Sequence, residues 1–249
     1  MNLLFLGTGT STGVPQIGCK CKTCTSLNTK DKRLRSSVLI TEGDKQILID
    51  CGPDLRQQLL TNKVDSITGI LLTHEHYDHV GGLDDVRPLG ETQLYAEKRA
   101  LTVIKRNMPY CFVDVKYPGV PLIHLHEIDE SDFFIGELLV QPIRIMHARL
   151  PILGFRIGKV AYLTDVKTIG DHSIGRLQGL DVLVLSALRM SEHISHLSLK
   201  EALEIAIKIG ARKTYFTHMS HDIGLHEDET KLLPLNIQLA YDGLQLTIY

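Results

Sequence analysis

Short runs of apolar residues, mostly leucine and β-branched types, recur along the chain and are separated by polar or turn-forming residues. Runs of this length and composition are typical of strands that are buried in a sheet. The pattern predicts eight strands, at residues 3–6, 38–40, 47–49, 67–72, 140–145, 160–163, 182–185 and 214–216.

The second and third runs are separated by Gly43-Asp44. This residue pair favours a tight turn, so the two flanking runs are predicted to form an antiparallel hairpin.

Helical signals occur between the later runs. Pro53 at a first-turn position predicts a helix over 54–62, and strong helix formers fill 97–107. A capping box formed by Ser198 and Glu201 predicts a third helix, which runs through 202–209 to Gly210. Because strands and helices alternate after the first hairpin, residues 1–249 are predicted to form one α/β domain with mixed sheets covered by helices.

Composition narrows the class of protein. Apolar residues make up 43% of the 249 residues and the formal net charge is -2, so a full core is expected and a global attraction to nucleic acid is not. The first residues lack the basic segment and long apolar run of a signal peptide, and no later apolar stretch approaches the ~20 residues of a membrane span. We therefore expect a cytoplasmic protein with no membrane partner. Five cysteines in such a compartment indicate thiols or metal ligands rather than disulfides.

Potential metal ligands are concentrated in His74-Glu-His76-Tyr-Asp78-His79, directly after the run at 67–72. Alternate residues of an extended segment point the same way, so His74 and His76 share a side, and a following turn brings Asp78 and His79 back toward them. A polar loop with exposed histidines is the alternative interpretation. Imidazoles and a carboxylate at this density are more typical of a metal site, which we predict here.

Three later strands also end in a potential ligand, at His147, Asp165 and His218. Ligands in α/β proteins gather beyond strand ends, because the strands fix positions while the loops leave room for substrate. Each residue alone is an ordinary loop residue, but with the first cluster the three predict one shared cleft. Asp50, after the run at 47–49, is either a turn residue or a partner that orients a ligand imidazole.

Together these residues resemble the metallo-β-lactamase superfamily, in which a His-x-His-x-Asp-His motif is completed by a later histidine, an aspartate and a final histidine. The resemblance runs from Leu4 to Tyr249 and implies an αββα sandwich of two mixed sheets flanked by helices. It implies two divalent ions, zinc or manganese, one held by His74, His76 and His147 and the other by Asp78, His79 and His218, with Asp165 bridging. Two such ions with a hydroxide between them suit hydrolysis of a phosphodiester, with Asp78 and Asp165 as catalytic carboxylates.

Three thiols lie close together in Cys19-Lys-Cys21-Lys-Thr-Cys24. Idle thiols or a redox pair are alternatives to a closed structural zinc site, which needs one more ligand. With Gly7-Thr-Gly-Thr-Ser-Thr-Gly and Thr217-His-Met-Ser-His221, the trio resembles the group that includes the phosphoribosyl cyclic phosphate phosphodiesterase of the carbon–phosphorus lyase pathway. That resemblance implies one structural zinc, held by Cys19, Cys21, Cys24 and His221.

His196 lies just before the capped helix, where related phosphodiesterases keep a histidine that protonates the leaving oxygen. The resemblance therefore implies that His196 is the general acid, worth about 10²- to 10⁴-fold in rate. Related enzymes orient this histidine with a carboxylate at the preceding strand end, where this chain has Ser186. The orienting partner is left open.

The expected substrate is a small phosphodiester, such as a cyclic phosphate or nucleotide-like molecule. A tRNA 3′-processing endonuclease is an alternative, but the segment from Asp165 to Ser198 is too short for a basic tRNA-binding arm. A metal-binding protein of cofactor biosynthesis without turnover is another, opposed by the complete ligand set. Fold alone does not choose the substrate, and a homodimer stays an open possibility.

Overall fold

The computed structural model describes residues 1–114 and 117–248, and its strands form two mixed sheets of seven. The strands are β1 (Asn2–Gly7), β2 (Ser37–Glu42), β3 (Lys45–Ile49), β4 (Gly69–Leu71), β5 (Glu91–Ala96), β6 (Leu122–Glu127), β7 (Phe133–Ile135), β8 (Leu138–His147), β9 (Leu150–Ile157), β10 (Val160–Leu163), β11 (Val182–Ser186), β12 (Lys213–Thr217), β13 (Ile237–Leu239) and β14 (Gln245–Thr247). The α-helices are α1 (Lys22–Thr25), α2 (Leu55–Asn62), α3 (Tyr77–Val80), α4 (Lys98–Asn107), α5 (Asp171–Arg176), α6 (Leu199–Ile209) and α7 (His226–Thr230).

Each sheet combines antiparallel and parallel pairing. The first has the order β14-β1-β2-β3-β4-β5-β6, antiparallel up to β3 and parallel from β3 to β6. The second has the order β13-β12-β11-β10-β9-β8-β7, parallel from β13 to β10 and antiparallel from β10 to β7. The predicted fold of two mixed sheets between layers of helices is confirmed.

Three apolar layers hold the sandwich together. Successive side chains of a strand point to opposite faces, so Ile47 and Ile49 of β3 pack between the sheets, while Leu48 packs outward among residues of α2 and α4. On the other side, Ala202 and Ile209 of α6 cover the outer face of the second sheet. Both sheet faces are buried, which explains why the strands read as continuous apolar runs.

All eight predicted strands lie at strands of the structure, and the hairpin is antiparallel, with Thr41 opposite Gln46. The capping box of α6 is present in both halves, Ser198 accepting from the Glu201 N–H and Glu201 from that of Ser198. One detail was wrong: α2 begins at Leu55 after Asp54 at the N-cap, so Pro53 precedes the helix instead of lying in its first turn.

The sequence analysis did not predict six of the strands, namely β5, β6, β7, β9, β13 and β14. Strand β5 is buried only at alternate residues, and β9 starts with Leu150-Pro151 and carries Gly154 and Arg156 inside it. These residues weaken a strand pattern, and the strands form because neighbouring strands offer backbone hydrogen-bond partners.

Candidate metal centre

Five polar side chains meet where strands of the two sheets end. Asp50 follows β3, His74 follows β4, His147 ends β8, Asp165 follows β10 and His218 follows β12. Parallel strands bring their carboxyl ends to the same edge of a sheet, so ligands far apart in the sequence converge there.

Three of these residues have a strained backbone. Asp50, Asp165 and His218 have φ values of 61°, 56° and 55°, in the left-handed region that side chains with a Cβ rarely adopt. The conformation costs about 1–2 kcal/mol per residue and is often found at active sites. At these three positions the conformation turns the backbone sharply after the strand, and the side chain then faces the edge where the strands end.

Asp78, His79 and His218 form one group of potential ligands. The Asp78 carboxylate lies 3.1 Å from His79 Nε2 and 3.6 Å from His218 Nε2. Asp165 lies against the same two imidazoles, with its Oδ2 atom 3.2 Å from His79 Nε2 and 3.3 Å from His218 Nε2. Asp165 is therefore shared between this group and the rest of the centre.

His74 and His147 also approach Asp165. Ligand atoms of His74, His79 and Asp165 lie within 4.8 Å of one another, as do those of His147, Asp165 and His196. The exposed His76 joins none of the ligand clusters found among the described residues, although its ring centroid lies 4.4 Å from that of His74 and 5.3 Å from that of His147.

We call the seven residues the His/Asp cluster: His74, His76, Asp78, His79, His147, Asp165 and His218. Several of its nitrogen atoms are buried without a hydrogen-bond partner among the described residues, namely His74 Nε2, His79 Nε2 and both ring nitrogens of His218. A buried polar atom left unpaired costs about 1–3 kcal/mol, so such atoms call for an explanation. Imidazole nitrogens and carboxylates converging on one point suit a divalent transition ion.

Other side chains fix the orientation of these imidazoles. The buried Asp50 accepts a hydrogen bond of 2.7 Å from His79 Nδ1, which directs Nε2 toward the carboxylates. The Thr73 hydroxyl donates to Asp50, so its oxygen is free to accept from His74 Nδ1 at 3.0 Å. Asp50 thus lies behind a potential ligand, a position that fits the second of its two interpretations, a partner that orients a ligand imidazole.

His147 is oriented by the loop that carries His196. Its Nδ1 donates to the Ser195 carbonyl at 2.9 Å, which leaves Nε2 free to bind an ion.

The ionisation states of these side chains favour the binding of a cation. Burial, together with nearby His79, holds the pKa of His74 well below its usual value, so this imidazole is neutral and can offer a lone pair. Burial alone would raise the pKa of Asp165, but His218 and His79 lower it well below the ordinary value. The pKa of His79 is raised despite burial, because Asp165, Asp50 and Asp78 surround it with negative charge.

His196 lies against the cluster. Its ring stacks on that of His218, with centroids 5.0 Å apart at 19°, and its Nδ1 lies 3.7 Å from Asp165 Oδ1. Burial, with a contribution from His218, lowers the pKa of His196 to about 3. Ser186 makes no hydrogen bond to His196 Nδ1, which has no hydrogen-bond partner among the described residues, and its hydroxyl accepts from the Val166 N–H at 3.0 Å.

A second potential metal site lies beside the first. Ligand atoms of Cys19, Cys21, Cys24 and His221 all lie within 4.8 Å of one another, and we call these residues the cysteine cluster. His221 Nδ1 is 3.4 Å from Cys19 Sγ and 3.3 Å from Cys21 Sγ. Four protein ligands at this spacing suit a closed, tetrahedral zinc site.

The thiols of this cluster differ in acidity. The Cys24 N–H and the His221 side chain lower the pKa of Cys21 to about 6, so Cys21 is a thiolate at neutral pH. Burial raises the pKa of Cys24 to about 11, although the Gln16 N–H donates to its sulfur at 3.3 Å. Backbone N–H groups aimed at sulfur are an arrangement that favours thiolate ligands.

The two clusters share one loop. His218 and His221 both follow β12, and Met219 between them pairs with the glycine-rich segment, donating to the Thr8 carbonyl and accepting from the Thr10 N–H. The glycine-rich segment therefore holds the loop that carries both His218 and His221.

The fold requires glycine at position 52, which the sequence analysis did not identify. A Cβ at this position would lie 2.0 Å from the Asp78 carbonyl oxygen, well inside van der Waals contact. Only glycine lets the segment after β3 pass this close to the motif of His74 to His79. Thr73 was also missed, although its place directly before His74 was visible in the sequence.

The comparisons with known proteins agree with this geometry. The family described as Beta-lactamase superfamily domain matches residues 45–219 of the chain, which is more than half of it. The chain therefore belongs to the beta-lactamase superfamily, and its two mixed sheets have the metallo-β-lactamase arrangement. A crystal structure described as a new diphosphatase from the PhnP family superimposes with a TM-score of 0.93 and 41% identity, over 98% of this chain and 96% of that one. This similarity confirms the resemblance to one particular group of the superfamily that the sequence analysis inferred from the cysteine trio and the motif at 217–221.

Two curated relatives have other names. An octanoyltransferase of Porphyromonas gingivalis is 45% identical over 100% of this chain but only 52% of its own length, so the chain spans about half of that protein. Coenzyme PQQ synthesis protein B of a Methylobacterium species is 31% identical over 74% of this chain and 72% of that protein. Within residues 1–114 and 117–248, no helix is long and apolar enough to cross a membrane.

Proposed function

We propose that this hydrolase cleaves a small phosphodiester or related phosphoryl ester with two divalent ions, zinc or manganese, held by the His/Asp cluster. The observation that carries the proposal is a set of buried imidazole nitrogens that have no hydrogen-bond partner among the described residues. These nitrogens lie around the carboxylates of Asp78 and Asp165, and His196 lies against the same group.

The assignment of ligands follows the resemblance to the metallo-β-lactamase superfamily. One ion would be held by His74, His76 and His147, the other by Asp78, His79 and His218, with Asp165 between them. When bound, two such ions lower the pKa of water and neutralise phosphoryl oxygens. A third ion, a structural zinc, would be held by the cysteine cluster.

His196 would deliver the proton that a leaving alkoxide needs. It lies within 3.7 Å of Asp165, so it faces the edge where a phosphoryl group would lie. A pKa of about 3 keeps it neutral in the free protein, but a bound phosphoryl anion raises the pKa of a neighbouring imidazole. Asp165 is the carboxylate that lies against His196, so Asp165 is our candidate for the residue that orients this imidazole.

The alternatives are less well supported. From Asp165 to Ser198, both included, the chain has three lysines and arginines and four acidic residues, and this segment forms α5 and β11, so it offers no basic arm for tRNA. The octanoyltransferase name belongs to a protein twice as long, and in this chain Cys51 and Cys111 are fully buried, which makes neither a ready acyl acceptor.

A substrate screen tests the proposal. Metal-loaded protein is assayed with bis-p-nitrophenyl phosphate, a ribosyl cyclic phosphate, pre-tRNA, a β-lactam and an octanoyl thioester. We expect hydrolysis of the first two. Turnover confined to the thioester, or to pre-tRNA, would refute the proposal and favour the corresponding alternative.

The His196→Ala variant tests the role of the acid in the same assay. p-Nitrophenolate leaves unaided, so we expect a loss of about 10²-fold or more on the ribosyl cyclic phosphate, little loss on bis-p-nitrophenyl phosphate, and unchanged metal content. The exposed His172→Ala is the matched control. Equal losses on both substrates would show that His196 positions the phosphoryl group instead of donating a proton.

A further inference from the structure

We propose that His196 is a ligand for a divalent ion, which it binds together with His147 and Asp165. We call these three residues the His196 site. Zinc held there withdraws His196 from proton donation, so the inference names a means of regulation for the proposed phosphoryl hydrolysis and rests on it in that respect. The ligand role itself is measured without any substrate.

The ligand atoms of the His196 site lie close enough together to share one ion. One such atom from each of its three residues lies within 4.8 Å of the other two. His196 Nδ1 lies 3.7 Å from Asp165 Oδ1, and the ring centroids of His147 and His196 are 4.6 Å apart. Bonds of about 2.0–2.1 Å place the ligand atoms of a tetrahedral zinc ion roughly 3.3 Å from one another. Small side-chain movements therefore bring these three atoms onto one ion.

Each member of the His196 site has an atom available for the ion. His196 Nδ1 is buried and has no hydrogen-bond partner among the described residues. His147 Nδ1 donates to the Ser195 carbonyl at 2.9 Å, so Nε2 of that ring carries the lone pair. Asp165 has its Oδ2 atom against His79, whereas its Oδ1 atom faces His196. A buried nitrogen without a partner calls for an explanation, and an ion provides one.

The structure brings His196, and not His76, into a ligand cluster with His147. The side chain of His76 is exposed and joins none of the ligand clusters found among the described residues. The Nε2 atom of His147 has a single lone pair, so it binds one ion at a time. The ion on this side of the centre therefore has two alternative sets of ligands, one with His74 and His76 and the other with His196.

Binding an ion through Nδ1 changes the chemistry of His196. The lone pair that would take up a proton is then used for the ion, so the ring is not an imidazolium and its remaining N–H is a much weaker acid. A leaving alkoxide of high pKa is then left without its proton donor. An ion in the His196 site is therefore inhibitory for substrates that need the acid.

The His196 site suits zinc better than manganese. Two imidazoles and one carboxylate, with a fourth position open, are a common set of ligands for zinc in proteins. Manganese binds more weakly than zinc in the general order of divalent affinities, and it suits carboxylate, carbonyl and water oxygens. Zinc should therefore occupy the His196 site, while manganese leaves His196 free.

The test uses full-length protein loaded with zinc or with manganese, from which the ions are titrated out with a chelator of known affinity. If about nine in ten zinc ions on this side of the centre occupy the His196 site, His196→Ala should weaken zinc binding about 10-fold. Manganese affinity should change less than about threefold, and the metal content at saturating zinc should stay the same. The cysteine cluster is identical in the two proteins, so the difference reports on the His/Asp cluster.

His193→Ala is the matched control. The ring centroid of His193 lies 5.1 Å from that of His196, yet His193 belongs to none of the ligand clusters found among the described residues. Its loss should leave zinc affinity at the wild-type value. Unchanged zinc affinity in His196→Ala, an equal loss in His193→Ala, or an equal loss for zinc and manganese would overturn the ligand role.

A crystal structure of the zinc-loaded protein gives a direct measurement. Anomalous scattering locates the ion, which we expect about 2.0–2.1 Å from His196 Nδ1. Zinc bound only through His74, His76 and His147 on this side of the centre would contradict the proposal.

Kinetics test the withdrawal of the acid. In wild type, the rate on a ribosyl cyclic phosphate relative to that on bis-p-nitrophenyl phosphate should be about 10-fold lower with zinc than with manganese, because only the cyclic phosphate needs the acid. Equal ratios with the two metals would overturn the regulatory role. If neither metal supports hydrolysis of a phosphoryl ester, the proposed function fails, and the chelator titrations still decide whether His196 is a ligand.

Discussion

At the scale of single residues, the centre depends on side chains that hold other side chains. His79 donates to Asp50, His74 lies against Thr73 and His147 donates to the Ser195 carbonyl, so each of these three imidazoles has one nitrogen engaged and the other directed inward. Such hydrogen bonds fix the tautomer and the orientation of a metal ligand.

Asp50 and Asp165 should differ in what their loss does to the metal content. Asp50→Asn keeps an acceptor near His79 but loses the charge, so we expect bound metal with affinity or kcat/KM lowered about 10- to 100-fold. Asp165→Asn removes the carboxylate shared by both groups and should lose metal and activity together. Elemental analysis with kinetics measures both effects, and equal metal loss in the two variants would argue against the orienting role of Asp50.

At the scale of elements, loops carry the functional groups and strands fix where the loops begin. The loop after β12 bears both His218 and His221, so it joins the His/Asp cluster to the cysteine cluster within four residues. A closed structural zinc stabilises such loops, because binding energy gained only in the folded state adds to stability.

Cys19→Ser tests that element. We expect the metal content to fall from about three ions per chain to about two, since a closed site that loses one of four ligands binds zinc poorly. The melting temperature should fall by several degrees, at about 2–4 °C for each kcal/mol lost. The exposed neighbour Lys20→Ser is the control, and a Cys19→Ser protein with unchanged metal content and melting temperature would refute the structural zinc.

At the scale of the whole molecule, segments from the beginning and the end of the chain are joined in one sheet. β1 pairs with β14, and the Met1 amino group donates to the Ile248 carbonyl. The buried Arg33 also joins early and late segments of the chain, donating to Thr8 and the Ala240 carbonyl and contacting His226.

His226 should make stability depend on pH. Burial, together with Arg33 and Lys30 and against Asp31, lowers the pKa of His226 from 6.5 to about 4. The unfolded chain therefore binds a proton first on acidification, so the stabilisation by neutral His226 is complete above pH 6.5 and is lost as pH falls toward 4. His226→Gln should flatten the fall in melting temperature across this window, while the exposed His172→Gln should follow wild type. Parallel curves for wild type and His226→Gln would contradict this assignment.

Much of this protein could be predicted without coordinates. Eight strands, the hairpin and the ends of α4 and α6 follow from local residue patterns, because burial of apolar side chains and helix capping act between residues close in the sequence. The same holds for the ligand-rich motif from His74 to His79 and for the cysteine trio.

Other features depended on tertiary contacts. The strands β5, β6, β7 and β9 carry weak patterns and form because neighbouring strands complete their hydrogen bonds. Gly52 lies close to Asp78 and to Arg35, although these residues are distant in the sequence.

Local pattern and composition were enough to establish the residue types of both clusters, the succession of the main strands along the chain and the class of fold. Tertiary contacts were needed to establish which imidazole nitrogen faces the centre, that the Ser186 hydroxyl accepts from the Val166 N–H, and that Asp165 is the carboxylate beside His196. These features depend on distances of a few ångströms between the ends of strands that belong to two different sheets. The number of residues between two positions in the sequence does not specify such distances.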